Sequence, residues 1–182
     1  MRAVRVLLVV SITLGGLAVF WGVMAAPLAG KPERGKLRVG TFDSRALPIA
    51  YANSELFRRE LDKLMEEHKK AKAAGDTEKV KKLEAQGKAG QVRFHEQGFG
   101  TRRVDDILER IKDKLPAIAR EAGVDLIVSK WDVVYQDPAV EVVDVTELVV
   151  KPFNPSQRAR GWIKDLQKVA PIPLEDARKI ED

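Results

Sequence analysis

The feature that most limits the fold is the distance along the chain between its strand-like segments. Residues 37–43 alternate as a short strand, and the next strand-like segments fall at 124–145. The roughly 80 residues between them follow helical spacing. A sheet of a few short strands is small and leaves its edges exposed. The sequence therefore predicts an α+β fold with a small antiparallel or mixed β-sheet, completed by strands of other copies in an oligomer.

Residues 54–90 have the pattern of a charged helical hairpin that projects from the sheet. Apolar residues such as Phe57 and Leu61 recur at helical spacing, while the other positions are mainly Glu, Arg and Lys. Gly75 is expected to end the first helix, and Asp76 or Thr77 to cap the second. Each interior glycine costs a helix about 1 kcal/mol relative to alanine. A broken segment is therefore predicted where four glycines follow, at Gly87, Gly90, Gly98 and Gly100.

A third helix is predicted at 102–122, with a kink at Pro116. Three short strands follow it, at 124–129, 133–135 and 140–145, with a turn at 136–138 between the last two. Prolines after residue 151 are expected to end this domain, and residues 152–182 form a C-terminal extension.

The first 25 residues have the features of an export segment. Arg2 and Arg5 give a basic start, and residues 6–24 are 19 residues without a charge. Ala25 follows in a context that a signal peptidase reads, while 19 helical residues at about 1.5 Å each nearly cross a hydrocarbon core of ~30 Å. The segment is therefore either a cleaved signal peptide or a retained membrane anchor. In both cases the domain is exported, with residues 26–36 as its linker.

The expected tip of the hairpin is strongly basic. Residues 69–88 contain seven lysines against three acidic residues. The lysines are Lys69, Lys70, Lys72, Lys79, Lys81, Lys82 and Lys88. Such side chains attract acidic clients or an anionic membrane surface; the alternative is a solvated face that only keeps the helices soluble. No nucleic-acid partner is expected, because the chain is exported and no aromatic residue lies among the lysines.

Composition argues against enzyme activity. The chain has no cysteine and two histidines, which excludes thiol chemistry and leaves little for a metal centre. Adjacent carboxylates such as Asp105 and Asp106 point in different directions on a helix, and no serine has the context of a nucleophile elbow. No catalytic residue, cofactor or metal site is therefore predicted.

Two ends of the domain carry a family resemblance. The strand Leu-Arg-Val-Gly-Thr-Phe-Asp at 37–43 leads into the charged hairpin, and the chain closes with an apolar run at 122–135 and an Asp-Val-Thr segment at 144–146. With the exported start, this layout resembles the OmpH/Skp family of periplasmic holdase chaperones over residues 37–151. The resemblance implies a periplasmic homotrimer whose strands make a small barrel and whose helical arms enclose unfolded outer-membrane proteins without ATP.

Two functions are therefore expected. The first is a non-enzymatic, ATP-independent periplasmic chaperone for unfolded envelope or outer-membrane proteins. The second is a membrane-anchored structural or adaptor protein of the cell envelope that keeps the fold without a client cavity. Strand residues expected to form the core or the oligomer contact are Val39, Phe42, Leu126, Val128, Trp131, Val134 and Tyr135.

Overall fold

A computed structural model of the chain describes residues 36–180. The predictions for residues 1–25 and for all of the linker except Lys36 lie outside this range. The described elements are, in chain order, β1 (Arg38–Phe42), α1 (Ala46–Ala52), α2 (Glu55–Ala73), α3 (Thr77–Gly98), α4 (Asp105–Leu108), α5 (Leu115–Ala122), β2 (Leu126–Ser129), β3 (Glu141–Asp144), α6 (Thr146–Val150), α7 (Gln157–Leu166) and α8 (Leu174–Ala177). Short 3₁₀ turns follow α4 and α6, at Glu109–Ile111 and Lys151–Phe153.

The fold is α+β with a small sheet of three strands in the order β2-β1-β3, and both pairs are parallel. The prediction of an antiparallel or mixed sheet is therefore wrong. Helices join β1 to β2, which is the type of connection that parallel strands need. Residues 133–135 do not form the predicted strand. The loop at 130–140 instead returns the chain to the other side of β1, where Glu141 is the partner of Arg38.

The hairpin consists of α2 and α3, and its ends follow the sequence signals. The Ser54 hydroxyl accepts a hydrogen bond from the backbone N–H of Phe57 at 3.1 Å, which caps α2. Gly75 has a φ of +70°, the left-handed conformation that favours glycine after a helix. The Asp76 side chain caps α3 by accepting from the N–H of Lys79 at 3.0 Å. Local capping therefore determines where the chain turns.

The predicted break is wrong at Gly87 and Gly90, because α3 runs without interruption from Thr77 to Gly98. The helix does end at Gly98, before Gly100, as the same prediction expected. Helix α3 is held at its base by an aromatic cluster: the rings of Phe57 and Phe94 are 5.4 Å apart, and Tyr51 lies 5.2 and 5.9 Å from them. Each aromatic pair contributes about 0.5–1.5 kcal/mol beyond its buried area. These tertiary contacts outweigh the glycine cost of about 1 kcal/mol per position.

Alanine at both Gly87 and Gly90 is expected to stabilise the protein by about 1–2 kcal/mol in total. An added Cβ meets no atom within 4 Å at either position, so the better helix former fits without a clash. Thermal unfolding should show a higher Tm for the double variant. The matched control is Gly75→Ala, which is expected to lower the Tm because φ is positive there. A lower Tm for the double variant would contradict this reading of α3.

The predicted third helix is two short helices rather than one. Helix α4 ends at Leu108, and α5 begins at Leu115 with Pro116 in its first turn. Proline is favoured there because the first N–H groups of a helix have no partner within it. The prediction of one helix with a kink at Pro116 is therefore wrong, because α4 ends before the proline and a new helix begins beside it.

Residues 152–180 are part of the same packed unit. Phe153 of the 3₁₀ turn and Ile163 of α7 are buried in the main hydrophobic core, together with Leu47 of α1 and Val149 of α6. The backbone N–H of Ile172 also donates to the carbonyl of Phe99 at 3.0 Å. The segment described from sequence as an extension thus covers α1 and the end of α3.

Candidate functional site

All seven predicted lysines are exposed, and most of them lie close to the turn between α2 and α3. Lys70 is 3.2 Å from Glu66, and Lys81 is 3.9 Å from Glu78. Both pairs are exposed, and such pairs contribute little to stability. Lys88 lies further along α3, 11 residues or about 17 Å from Thr77. The fold therefore gathers six lysines into one basic tip and leaves the seventh on the shaft.

The two hairpin helices leave an apolar groove between them. Leu64 and Leu83 lie on its floor. The part of the groove that passes Gly87 and Gly90 has a volume of about 630 Å³. Next to it, Leu61 is 40% exposed and Met65 is 61% exposed. We call these residues the hairpin groove: Leu61, Leu64, Met65, Leu83, Gly87 and Gly90. Gly87 and Gly90 line the groove without contributing a side chain.

The base of the hairpin is fixed to the body by polar contacts as well as by the aromatic cluster. The Tyr51 hydroxyl donates to Glu60 at 2.6 Å, and Arg110 pairs with the same carboxylate. The Arg110 guanidinium also lies 4.8 Å from the centre of the Tyr51 ring. Burial, together with the hydrogen bond to Glu60, raises the pKa of Tyr51 well above its usual range. The phenol therefore stays protonated, so it holds the helix rather than transferring a proton.

A second contact ties the end of α3 to the C-terminal segment. Glu96 is buried and pairs with Arg102 and with Arg178. Burial alone would raise the pKa of Glu96, but the hydrogen bonds from Arg178 and Arg102 outweigh it and lower the pKa. The ionised carboxylate thereby holds the chain end against the hairpin base.

The carboxyl end of β1 holds a buried charged cluster. Arg45 Nε donates to Asp43 Oδ1 at 3.0 Å and Nη2 donates to Oδ2 at 2.8 Å. From the loop after β2, Lys130 Nζ lies 2.8 Å from Oδ2 and Trp131 Nε1 donates to Oδ1 at 3.0 Å. Asp43 and Arg45 are both fully buried. One carboxylate thus joins the central strand to the loop that crosses the sheet.

The carboxylate of this cluster stays ionised near neutral pH. Burial by itself raises the pKa of Asp43, but the hydrogen bonds from Arg45, Lys130 and Trp131 outweigh it and bring the pKa to about 2. Arg45 Nη2 also donates to the carbonyls of Leu166 and Val169, at 3.2 and 3.0 Å. The cluster therefore extends from β1 to the end of α7. Helix α1, which follows Asp43, has no side-chain cap.

The strand residues predicted for the core or the oligomer contact have different environments. Phe42 is buried, Val39 and Val128 are partly buried, and Leu126 is 38% exposed. Trp131 is partly buried, with Arg45 and Lys130 over its ring at 4.8 and 4.5 Å. Val134 and Tyr135 are 100% and 78% exposed in the loop after β2, so their assignment to a strand is wrong. They do not form part of this chain's core because the loop carries them outward.

The described residues 36–180 contain no cluster of histidine and acidic side chains that could hold a metal ion. His68 lies 3.2 Å from Glu84 across the hairpin, and His95 is buried at the hairpin base. Within the same range, no helix combines the length and the apolar character that a bilayer span requires.

Comparisons with protein-family models, curated proteins and solved structures give no match for this chain. The resemblance to the OmpH/Skp family therefore stays a prediction from the sequence.

Proposed function

We propose that this protein is a non-enzymatic, ATP-independent chaperone of the periplasm that holds unfolded envelope or outer-membrane proteins at its helical hairpin. The observation that carries the proposal is the hairpin groove with its exposed apolar side chains, Leu61 and Met65. Unfolded chains expose apolar segments, and a shallow groove buries them without enclosing them. Binding of this kind is transient and broad in specificity.

The lysine tip supports the same function. Its six exposed lysines, together with Lys88 on the shaft, attract acidic segments of a client, and their alkyl stems cover apolar surface beside the groove. The contribution of exposed charges falls as salt rises, so binding should weaken at high ionic strength. Assembly of several chains, with a homotrimer favoured by the family resemblance, would place several hairpins around one client and multiply weak contacts.

Charge reversal at the tip tests the proposal. The variant Lys79→Glu, Lys81→Glu, Lys82→Glu is expected to weaken client holding by at least about tenfold, because three exposed contacts of roughly 0.5 kcal/mol each are lost. The assay is light scattering after dilution of a urea-unfolded outer-membrane barrel into buffer with the full chain. A matched control reverses three exposed lysines outside the hairpin: Lys112, Lys114 and Lys151.

A second variant separates the groove from the charges. Met65→Ser leaves the charge unchanged and removes exposed apolar surface, so it should also reduce suppression of aggregation. If the full chain suppresses aggregation no better than the tip and groove variants do, the hairpin is not a client site. If the wild-type chain does not suppress aggregation, the proposed function itself is wrong.

The alternative is a membrane-anchored structural or adaptor protein of the envelope. It is favoured by the size of the hairpin, since α2 has 19 residues and is about 28 Å long. Arms of that length that pack against each other enclose little volume. Wild-type protein that remains in the membrane fraction and leaves barrel aggregation unchanged would support this alternative.

A further inference from the structure

A second apolar surface lies at the base of the hairpin, on the side covered by α7. A groove of about 600 Å³ runs between α1, the end of α3 and α7, and its lining is almost entirely apolar. Around it protrude Phe99, Trp162, Val169 and Ile172, exposed by 46%, 44%, 56% and 39%. We call these four residues the base patch. The hairpin function does not use them, because they lie at the opposite end of α3 from the lysine tip, about 33 Å along the helix.

Three of the four side chains line one groove, and the backbone of the fourth residue lies next to it. Phe99, Trp162 and Val169 line the same groove. Ile172 lies beside Phe99, since its backbone N–H donates to the Phe99 carbonyl at 3.0 Å. A contiguous exposed patch with two large aromatic residues indicates an interaction site, whereas isolated exposed apolar residues are common on any protein.

The charges around the base patch favour an anionic partner. The guanidinium of Arg158 lies 4.7 Å from the centre of the Trp162 ring, and no carboxylate of residues 36–180 pairs with it. Asp165 lines the groove, but its charge is balanced by Lys168 at 2.8 Å. An indole ring beside a cation that no described carboxylate neutralises matches the phosphate level of a bilayer, where tryptophan is enriched.

If the N-terminal segment is retained as a membrane anchor, it brings a bilayer within reach of this surface. Residues 6–24 have the apolar composition of a segment that meets a membrane. About 12 residues, 25–36, separate that run from the described domain and span at most about 40 Å when extended. A domain of about 145 residues has a radius of gyration of about 15 Å, so the tether allows any face to contact the bilayer. The apolar base patch then decides which face does.

We propose that the base patch docks the domain on an anionic phospholipid surface, with Trp162 at the level of the head groups and Arg158 on a lipid phosphate. This docking goes beyond client holding and leaves the lysine tip away from the contact.

Depth-dependent quenching of Trp162 tests the docking. The full chain with Trp21→Phe is added to vesicles of phosphatidylcholine and phosphatidylglycerol that contain brominated acyl chains. Trp131 and Trp162 are then the remaining tryptophans. Bromolipid should quench the emission, and the further change Trp162→Phe should reduce the quenched fraction by at least about half. Charge reversal at Lys79, Lys81 and Lys82 should leave it unchanged. The control Val134→Ser, at an exposed apolar residue outside the patch, should also leave it unchanged.

Several outcomes would overturn the docking. Quenching that does not depend on Trp162 would show that the patch faces solvent or a protein partner on a membrane-bound chain. Equal quenching of Trp162 in vesicles of phosphatidylcholine alone would show that docking does not require an anionic surface. If the chain does not sediment with the vesicles, neither the base patch nor the N-terminal segment binds a membrane. The aggregation assay reads out the hairpin independently, so failure of docking and failure of client holding are distinguishable.

Discussion

Replacement of Asp43 by alanine is expected to lower the free energy of unfolding by about 3–5 kcal/mol. The Arg45 guanidinium would lose its bidentate partner while its side chain remains 1% exposed. Lys130 and Trp131 would lose the same acceptor, and with it the link between the crossing loop and β1. A buried charge without its partner is among the few single changes that cost this much.

Urea unfolding followed by circular dichroism measures this loss at neutral pH. The control is Asp132→Ala, an exposed carboxylate in the same loop, which is expected to change stability by no more than about 0.5 kcal/mol. A loss of less than about 1 kcal/mol at Asp43 would mean that the cluster does not hold the sheet together.

The same cluster predicts a pH dependence with a definite sign. Against the cost of burial, the surrounding cations and the indole lower the pKa of Asp43 from 3.8 to about 2. A carboxylate with a lowered pKa in the folded state adds stability above its unfolded value, and that stability is lost as the pH falls through the folded value. This difference in the pKa of Asp43 corresponds to about 2 kcal/mol of folding stability, which is lost as the pH falls from about 4 to about 2. Comparing the free energy of unfolding of the wild type and of Asp43→Asn across this pH range isolates the contribution of Asp43, because the amide does not ionise.

Replacement of Ile163 by alanine is expected to cost about 3 kcal/mol, within the usual 2–5 kcal/mol for a buried isoleucine. Ile163 has no exposed surface and belongs to the same core as Leu47 and Phe153. The lost methyl and methylene groups leave a cavity that α7 cannot close, because Arg45 holds its last carbonyls.

This substitution tests whether residues 152–180 are integral to the fold. Its neighbour Lys164 is exposed, and Lys164→Ala should leave the urea midpoint nearly unchanged. If Ile163→Ala had as little effect as Lys164→Ala, the C-terminal segment would be a separate attachment to a domain that is stable without it.

Local signals in the sequence located several elements correctly. The strand at 37–43 is β1, and the first hairpin helix lies between the Ser54 cap and Gly75 as predicted. These features depend on side-chain spacing and on hydrogen bonds within a few residues. The basic tip was also predictable, because only three residues, 74–76, separate the two helices, so lysines on either side of this turn lie near each other.

The predictions that failed concern features that depend on contacts between distant residues, which the local sequence does not encode. The glycines at 87 and 90 read as breakers, yet packing at Phe94 keeps α3 continuous. The segment at 133–135 has strand-like residues but lies in the crossing loop. Helix and strand preferences amount to about 1 kcal/mol per residue, which tertiary packing readily exceeds.

The amino-acid sequence by itself determined the strand, the capped hairpin and its lysine tip, because periodicity, capping and charge act over a few residues. Only the tertiary structure decided the parallel order of the strands, the partners of Asp43 and the covering of the core by α7. Those features join residues about 90 to 125 positions apart, such as Asp43 with Trp131 and Arg45 with Val169. Such pairs form because buried charges need hydrogen-bonded partners and buried apolar groups need close packing, and both depend on the packing of the whole chain.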